Sequence, residues 1–388
     1  MAGTQKKILI LGSTGSIGKS ACNCVRRFTD RFTVAGLAAG SNIDLLTRQI
    51  REFSPQAAYI TNPEHAVAIS EQFKNVTVYD GKDGGLERIV NETDYDILLN
   101  ALVGAAGFRP TVAALRRGKR VALANKESLV IGGDYIRTII GNDNDRQLLP
   151  VDSEHSAILQ CLPGDTSSYH TIESIILTAS GGPFRNMPQN AFASISPEQA
   201  LNHPTWSMGK KITIDSSTLM NKGFELIEAH HLFALPYDKL RVCVHPQSII
   251  HSMVEFHDGA VLAQLGLPDM ELPIQYALSW PERLPIRGKR LNLSDIRNLD
   301  FFEPDTERFP CLKLCIEAGK TGGTAPAAVN AANEVAVDLF LNKRIGYTGI
   351  AEIVEETLTE HIPLRADSVE VIEEADKATR RKIINKYK

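Results

Sequence analysis

The sequence predicts an α/β protein with a doubly wound parallel-sheet domain at the N-terminal end, an α+β second domain and a helical C-terminal domain. Three observations carry this. Up to about Pro150, short continuous apolar runs alternate with helical patterns, the rhythm of a parallel sheet covered on both faces. From Glu173 the order becomes strand, polar Pro-containing stretch, helix and hairpin. From Cys311 onward the pattern is helical throughout. At 388 residues the chain exceeds what one simple core usually organises.

The first domain is expected to carry strands at Lys7–Gly12, Phe32–Ala39, Ala57–Ile60, Val76–Tyr79, Asp96–Leu102, Arg120–Ala124 and Gln147–Val151. Helical periodicity fills the gaps, as in Ile17–Phe28, Ile43–Phe53, Arg109–Arg117 and Leu129–Ile140. Glu173–Ala179 reads as a strand, followed by Ser180-Gly181-Gly182-Pro183 and a polar stretch to about Lys210. A helix is expected from about Ser217 to Phe233. Strands follow at Leu240–His245, His251–Phe256 and Ala260–Leu265, the last two joined around Asp258-Gly259, a hairpin signal. Pro281, Pro285, Pro304 and Pro310 mark a linker over residues 281–310. Ala327–Leu341 and Ile350–Thr359 are the clearest later helices.

Composition narrows the function classes. Hydrophobic residues make up 43% and charged residues 23%, as in ordinary globular chains. A net charge of −4 argues against a nucleic-acid surface. The basic cluster Arg116-Arg117-Gly118-Lys119-Arg120 reads as a solvated face with favourable helix C-terminal charges. Met1 to Lys7 is short and polar, and the apolar run Ile8–Leu11 is far below signal-peptide or membrane-spanning length. Cys22, Cys24, Cys161, Cys243, Cys311 and Cys315 lack Cys-x-x-Cys spacing, so reduced thiols are expected rather than zinc ligands. A cytoplasmic protein follows.

Gly12-Ser-Thr-Gly15-Ser-Ile-Gly18 follows the first strand and opens the first helix. Glycines let the backbone turn sharply and approach a pyrophosphate, which then rests on helix N-terminal amides. The spacing G-x-x-G-x-x-G also suits a tight turn without ligand. An NAD site usually places a carboxylate at the end of the second strand. Here that strand runs into Gly40-Ser41-Asn42, with no carboxylate, which favours NADP.

Leu149-Pro-Val-Asp152-Ser153-Glu154-His155 follows the last strand of the first domain. If the chain stays extended there, Asp152 and Glu154 share one face. Oxygen-only ligation suits Mg²⁺ or Mn²⁺, although such a pair is also commonly just solvated. In Asp215-Ser216-Ser217-Thr218-Leu-Met-Asn221-Lys222-Gly-Phe-Glu225, Ser216 or Ser217 is a candidate helix cap. Asn221 and Glu225 are i,i+4 neighbours, and Lys222 lies one turn before Glu225. Hydroxyl, amide and ammonium groups near a helix start suit a phosphate monoester, and Glu225 could complete a metal site. The stripe otherwise faces solvent, with a Lys222–Glu225 ion pair.

Several segments together resemble the 1-deoxy-D-xylulose-5-phosphate reductoisomerase family. They are GSTGSIG (12–18), LANKESLV (123–130), LPVDSEH (149–155), SGGPFR (180–185), HPTWSMGKKITIDSSTLMNKGFELIEA (203–229), HPQSIIHSM (245–253) and NAANE (330–334). The resemblance runs in order along essentially the whole chain. It implies a Rossmann-like NADPH-binding domain over 1–150, a catalytic metal- and substrate-binding domain over 151–280 with a flap at about 181–210, the linker over 281–310, and a helical domain over 311–388. Asp152, Glu154 and Glu225 would bind the divalent metal, Mg²⁺, Mn²⁺ or Co²⁺. Ser180, Ser216, Asn221 and Lys222 would hold the substrate phosphate. Ser153, Lys126 and His203 would contact substrate, with Lys126 among the catalytic residues, and Trp206 would cover the substrate. Thr14, Gly15, Ser16, Ile17, Gly40, Ser41, Asn42, Asn125, Glu127 and Gly209 would line the NADPH site. His251 is a further site candidate or a structural histidine.

The reaction so implied converts 1-deoxy-D-xylulose 5-phosphate to 2-C-methyl-D-erythritol 4-phosphate, in non-mevalonate isoprenoid biosynthesis. It proceeds by metal-assisted skeletal rearrangement, through retro-aldol and aldol steps, and hydride transfer from NADPH. A small phosphorylated ketose is the expected partner, with no nucleic acid or membrane, in a homodimer. Two positions depart from the family pattern. Ser41 stands where Lys or Arg is common, and Asp269-Met-Glu271-Leu272-Pro273 replaces the more usual Asp-Met-Arg-Thr-Pro. The rival readings are an NADP-dependent semialdehyde-type dehydrogenase and a non-catalytic NADP-binding regulator. The first leaves the three carboxylates unexplained, and the second predicts loss of one of them or of Lys222.

Overall fold

The computed structural model describes residues 5–82, 84–141, 146–162, 166–206, 208–286 and 288–388. Its strands in chain order are β1 (Lys6–Leu11), β2 (Phe32–Ala39), β3 (Ala57–Ile60), β4 (Thr77–Tyr79), β5 (Ile97–Asn100), β6 (Arg120–Leu123), β7 (Leu148–Pro150), β8 (Ile172–Ala179), β9 (Leu240–Val244), β10 (Ile250–Phe256) and β11 (Val261–Leu265). Its helices are α1 (Ser16–Arg27), α2 (Ile43–Phe53), α3 (Pro63–Gln72), α4 (Gly85–Glu92), α5 (Phe108–Arg116), α6 (Lys126–Ile140), α7 (Ser153–Cys161), α8 (Pro197–Ala200), α9 (Lys210–Ser217), α10 (Met220–Phe233), α11 (Glu271–Ser279), α12 (Cys311–Thr321), α13 (Ala325–Leu341), α14 (Thr348–Glu360) and α15 (Val369–Lys386). No described helix is long and apolar enough to cross a membrane.

The chain divides into two compact units. One comprises Met1–Ser128, Ile139–Ser156 and Asp269–Arg287; the other comprises Leu129–Thr138, Ala157–Pro268 and Gly288–Lys388. The division departs from the chain-order blocks 1–150, 151–280, 281–310 and 311–388, because α11 packs with the first unit. There Arg27 of α1 pairs with Glu271, and Arg120 lies over the Trp280 ring at 5.3 Å.

The first unit is built on a seven-stranded sheet ordered β4-β3-β2-β1-β5-β6-β7, with every pairing parallel. Ile8, Leu9, Ile10 and Leu11 are wholly buried, as continuous apolar strands between two helical layers require. The strand order reverses beside β1, so a crevice opens past the carboxyl ends of β1 and β5, where ligands of such sheets bind. Cys22 and Cys24 lie buried in α1, and burial pushes both thiols up to about 12. The basic cluster is more than a solvated face: the Arg117 guanidinium and the Lys119 ammonium lie 5.2 and 5.4 Å from the Tyr95 ring centre, using their stems as packing surface.

The second unit holds a mixed four-stranded sheet ordered β11-β10-β8-β9, with β8 and β9 parallel and the other pairs antiparallel. The hairpin between β10 and β11 turns on Gly259, whose φ of 83° suits glycine. Helix α13 is its most apolar core element, buried over Ala325–Ala332. The helix expected from Ser217 is broken in two. Leu219 takes φ 61° and forms the entry to α10 without a side-chain cap. The Ser217 hydroxyl instead donates back to the Ile214 carbonyl at 2.7 Å, so neither Ser216 nor Ser217 caps the following helix.

Candidate active site

The nucleotide loop is shaped by close backbone approach. Gly12 has φ 81°, and a Cβ there would lie 2.5 Å from the Ala101 carbonyl oxygen. A Cβ on Gly18 would lie 2.2 Å from the Gly12 oxygen, so only glycine lets α1 start against the loop. Gly15 is the N-cap of α1, with no side-chain cap and no acidic residue in the first turn. The first amides of the helix are thus open to an anion. Thr14 and Ile17 are half-buried, while Gly15 and Ser16 are exposed. These residues fit a dinucleotide pyrophosphate.

Gln49 of α2 anchors the loop from behind. It accepts from the Ser13 hydroxyl at 2.8 Å and donates to the Ser13 carbonyl at 2.9 Å. Sequence reasoning missed it, although Gln49 is a polar residue on the buried stripe formed with Leu46 and Ile50. Gly40 and Ser41 are exposed at the end of β2. Asn42 caps α2, accepting from the Leu45 amide at 3.0 Å.

Past β5 and β6 lies a buried amide network. Asn100 donates to the Gly107 carbonyl and to the Thr111 hydroxyl, both at 2.8 Å. Asn125 donates to Leu102 O, Gly104 O and Glu127 Oε2 at 3.0, 2.9 and 3.0 Å. Asn125 and Glu127 are almost fully buried and brace the crevice wall. The adjacent Lys126 ammonium lies 2.8 Å from Asp152 Oδ2. Burial opposes ionisation of Asp152, but the Lys126 charge outweighs it, followed by His155, and holds the carboxyl far below the usual carboxylate range.

The segment after β7 is not extended. Asp152 precedes α7, and the Ser156 amide donates to its carbonyl at 2.8 Å, so the chain turns helical at once. The extended backbone is not found, yet the helix start still brings a carboxylate oxygen of Asp152 and one of Glu154 within 4.8 Å of each other. Asp152 occupies the residue type favoured before a helix, and Glu154 lies in the first turn, accepting from the Ser153 hydroxyl at 2.6 Å. Two carboxylates therefore issue from one helix start. Their oxygen-only donor chemistry fits a hard divalent cation.

In the second unit, Ser180, His203 and Ser216 come together. His203 Nδ1 accepts from the Thr205 and Trp206 amides at 3.2 and 3.0 Å. The ring proton therefore resides on Nε2, 3.1 Å from both Ser180 Oγ and Ser216 Oγ. Burial lowers the His203 pKa. The Gly182 amide also donates to Ser180 Oγ at 3.3 Å, which leaves the Ser180 O–H to donate outward. Gly182 has φ 68°, and a Cβ on it would lie 2.8 Å from the Ser216 carbonyl, so the Ser180-Gly-Gly turn presses on α9. Within the flap stretch, Trp206 is half-buried with its ring 6.3 Å from that of His251, Gly209 is the exposed N-cap of α9, and Ser207 lies outside the described residues.

On α10, Glu225 is almost wholly buried and accepts from Asn221 Nδ2 at 2.5 Å and from the Lys222 ammonium. The polar stripe is thus internal to the unit rather than a solvated face, because Lys222 is buried as well. Burial lowers the His251 pKa, as for a satisfied interior histidine. The C-terminal helices support this region through residues that the sequence reading left without a role. Asn333 of α13 donates to Asp215 Oδ1 at 2.8 Å, and Lys211 pairs with the other Asp215 oxygen at 2.8 Å. The Tyr347 hydroxyl donates to the Ser217 carbonyl at 2.7 Å.

Three family models match in sequence. One described as 1-deoxy-D-xylulose 5-phosphate reductoisomerase covers residues 8–133, and two for C-terminal domains of that enzyme cover 148–233 and 265–382. The Chloroherpeton thalassium protein of that name is 48% identical over 384 residues, 98% of each chain. The chain belongs to the 1-deoxy-D-xylulose 5-phosphate reductoisomerase family. The Chlorobium chlorochromatii relative is 52% identical over 359 residues, 92% of this chain and 93% of its own. Among solved structures, one described as DOX-P reductoisomerase in complex with NADPH, fosmidomycin and magnesium has 39% identity and a TM-score of 0.92, with 98% of each chain covered. The Zymomonas mobilis reductoisomerase in complex with NADPH has 41% identity and a TM-score of 0.91, covering 100% of this chain and 99% of its own.

Proposed function

We propose that this chain is a 1-deoxy-D-xylulose 5-phosphate reductoisomerase, converting that ketose phosphate to 2-C-methyl-D-erythritol 4-phosphate with NADPH and a divalent metal, in the cytoplasm and as a homodimer. Full-length membership of the family carries the reading, since nearly all of the chain and of its relatives is covered. Thr14 to Ile17 would hold the pyrophosphate on the open start of α1. Gly40, Ser41 and Asn42 would lie toward the adenosine end, with Asn125, Glu127 and Gly209 completing the cofactor site. Asp152, Glu154 and Glu225 would hold the metal, which when bound stabilises negative charge on the ketose oxygens.

The chain's own groups do the rest. Lys126 keeps Asp152 ionised. Ser153 orients Glu154. His203 donates through Nε2 to Ser180 and Ser216, so both hydroxyls are turned to donate to the substrate phosphate, and Asn221 and Lys222 supply further donors. Trp206 would cover the substrate and exclude water from the reacting carbons.

The test is NADPH oxidation with 1-deoxy-D-xylulose 5-phosphate and Mg²⁺ or Mn²⁺, with and without a chelator. Oxidation abolished by the chelator and restored by metal is expected; no oxidation with either metal would remove the assignment. Glu225→Gln should lose turnover by about 100-fold or more, as loss of a charge-stabilising group does, while NADPH binding survives.

A further inference from the structure

We propose that Lys82 supplies the cation for the adenosine 2′-phosphate in this chain, where the loop after β2 offers the Ser41 hydroxyl and no cation. The inference rests on the reading above that the cofactor is NADPH.

Parallel register carries the argument. Ala39 of β2 pairs with Ile60 of β3, and Tyr59 of β3 pairs with Tyr79 of β4. The alignment continues past the strand ends: the Thr61 amide donates to the Gly40 carbonyl at 3.2 Å, and the Gly81 amide donates to the Thr61 carbonyl at 3.1 Å. Ser41, Asn62 and Lys82 therefore stand in a row, one on each of three adjacent chain segments leaving the carboxyl edge of the sheet. At strand spacing, Ser41 and Lys82 are about 10 Å apart along that row. A four-carbon ammonium side chain and a phosphate between them span that gap.

The row is the floor of an open depression of about 710 Å³ lined by Gly40, Ser41, Thr61, Asn62, Glu64, His65 and Lys82, with Pro63. Lys82 is its one Lys or Arg among the described residues. Its backbone is fixed, because its amide donates to Asp80 Oδ1 at 2.8 Å, and Gly81 is packed so closely that a Cβ would lie 2.5 Å from the Thr61 oxygen. The ammonium itself pairs with no described residue, unlike Lys126 or Lys222, whose charges are engaged. The hydroxyls of Ser41 and Thr61 add donors. Glu64 is the opposing charge on the wall, so a bound phosphate needs a cation there, and Lys82 is placed to be it. The wall is open where the loop leaves β2: a Cβ on Gly40 would meet nothing within 4 Å, so a ribose can approach.

The test is fluorescence titration of the full chain with NADPH and with NADH, for the wild type and for Lys82→Ala, with 2′,5′-ADP and 5′-AMP as competitors. The expected result is that Lys82→Ala weakens NADPH and 2′,5′-ADP about tenfold, the worth of one charge-assisted contact, and leaves NADH and 5′-AMP within about twofold. Unchanged NADPH affinity, or equal losses for both dinucleotides, would overturn the assignment. A wild-type chain that bound neither dinucleotide would instead sink the functional reading itself, so the two failures are distinguishable.

Discussion

The Trp206 amide donates to His203 Nδ1 at 3.0 Å, and this bond decides what His203 can do. With Nδ1 accepting, Nε2–H faces the two serine hydroxyls 3.1 Å away, and a stretch carrying Trp206 is tied to the residues proposed to hold phosphate. His203→Ala should raise KM for the phosphorylated ketose at least about tenfold, the cost of one lost hydrogen bond in a buried site, with NADPH affinity unchanged. The pH dependence follows from the lowered pKa. The neutral ring is the form present at pH 7 and above, so KM should be flat there. It should rise only on the acid side of the free-histidine value of about 6.5, where a proton on Nδ1 would face two backbone N–H groups. Steady-state kinetics between acid and neutral pH check both; an unaltered KM in the alanine variant would remove His203 from the site.

Asn333 holds Asp215 from across the second unit at 2.8 Å, and the next residue, Ser216, contacts His203. Asn333→Leu would remove a donor from a carboxylate that is 1% exposed, leaving Lys211 as its partner. The expected loss is about 1–3 kcal/mol of stability, the penalty of an under-satisfied buried acceptor. Chemical denaturation reads it. Asn333→Asp should cost more, because it sets two carboxylates against each other. If both variants match the wild type, the bond carries no weight.

Much of the fold was legible because its signals are local. The seven parallel strands are continuous apolar runs, and β2 and β3 begin and end where their runs do. What periodicity could not show was where helices interrupt. The apolar positions of Leu219 and Met220 continue the pattern of α10 backwards, yet Leu219 adopts φ 61° and ends one helix before the next starts. Likewise Asp152-Ser-Glu154 reads as an alternating pair only if extended, whereas it starts α7. At the site, Ser180, His203 and Ser216 were legible through motif likeness. Gln49 was not, and Asn333 stood in the NAANE segment without a role, because a buried amide declares its partner only in three dimensions. Each nonetheless left a trace, a polar residue on an otherwise apolar helix face.

Gly18 and Gly40 both belong to the expected cofactor region, but space treats them oppositely. A Cβ on Gly18 meets backbone at 2.2 Å, and one on Gly40 meets nothing within 4 Å. Gly18→Ala should therefore force α1 away from the loop, costing about 1–3 kcal/mol as overpacking does and weakening NADPH binding. Gly40→Ala should leave stability within about 0.5 kcal/mol, the usual range for a free surface site. Thermal melts and NADPH titration on the pair compare them directly. Equal stability in the two variants would mean that the loop gives way more easily than its backbone contacts imply.

His231 lies inside the second unit with its ring against Gly133, where a Cβ would lie 2.0 Å from Cδ2. Burial, then the charges of His230 and Arg137, bring its pKa down to about 3. In the unfolded chain a histidine titrates near 6.5, so between these values the unfolded state binds the extra proton and the folded state does not. Stability must then rise with pH across that window and fall as acid is added, by at most about 1.4 kcal/mol per pH unit from this one residue. Above pH 6.5 both states are neutral, and the contribution is constant. His231→Phe keeps a flat ring beside Gly133 but cannot titrate, so any packing cost is a fixed offset. The difference in unfolding free energy between wild type and variant should therefore slope with pH from about 6.5 downward and be level above it. Denaturant titrations at pH 4.5, 5.5, 6.5 and 7.5 would measure it, and a difference independent of pH would mean that His231 is protonated in the folded protein as readily as in the unfolded one.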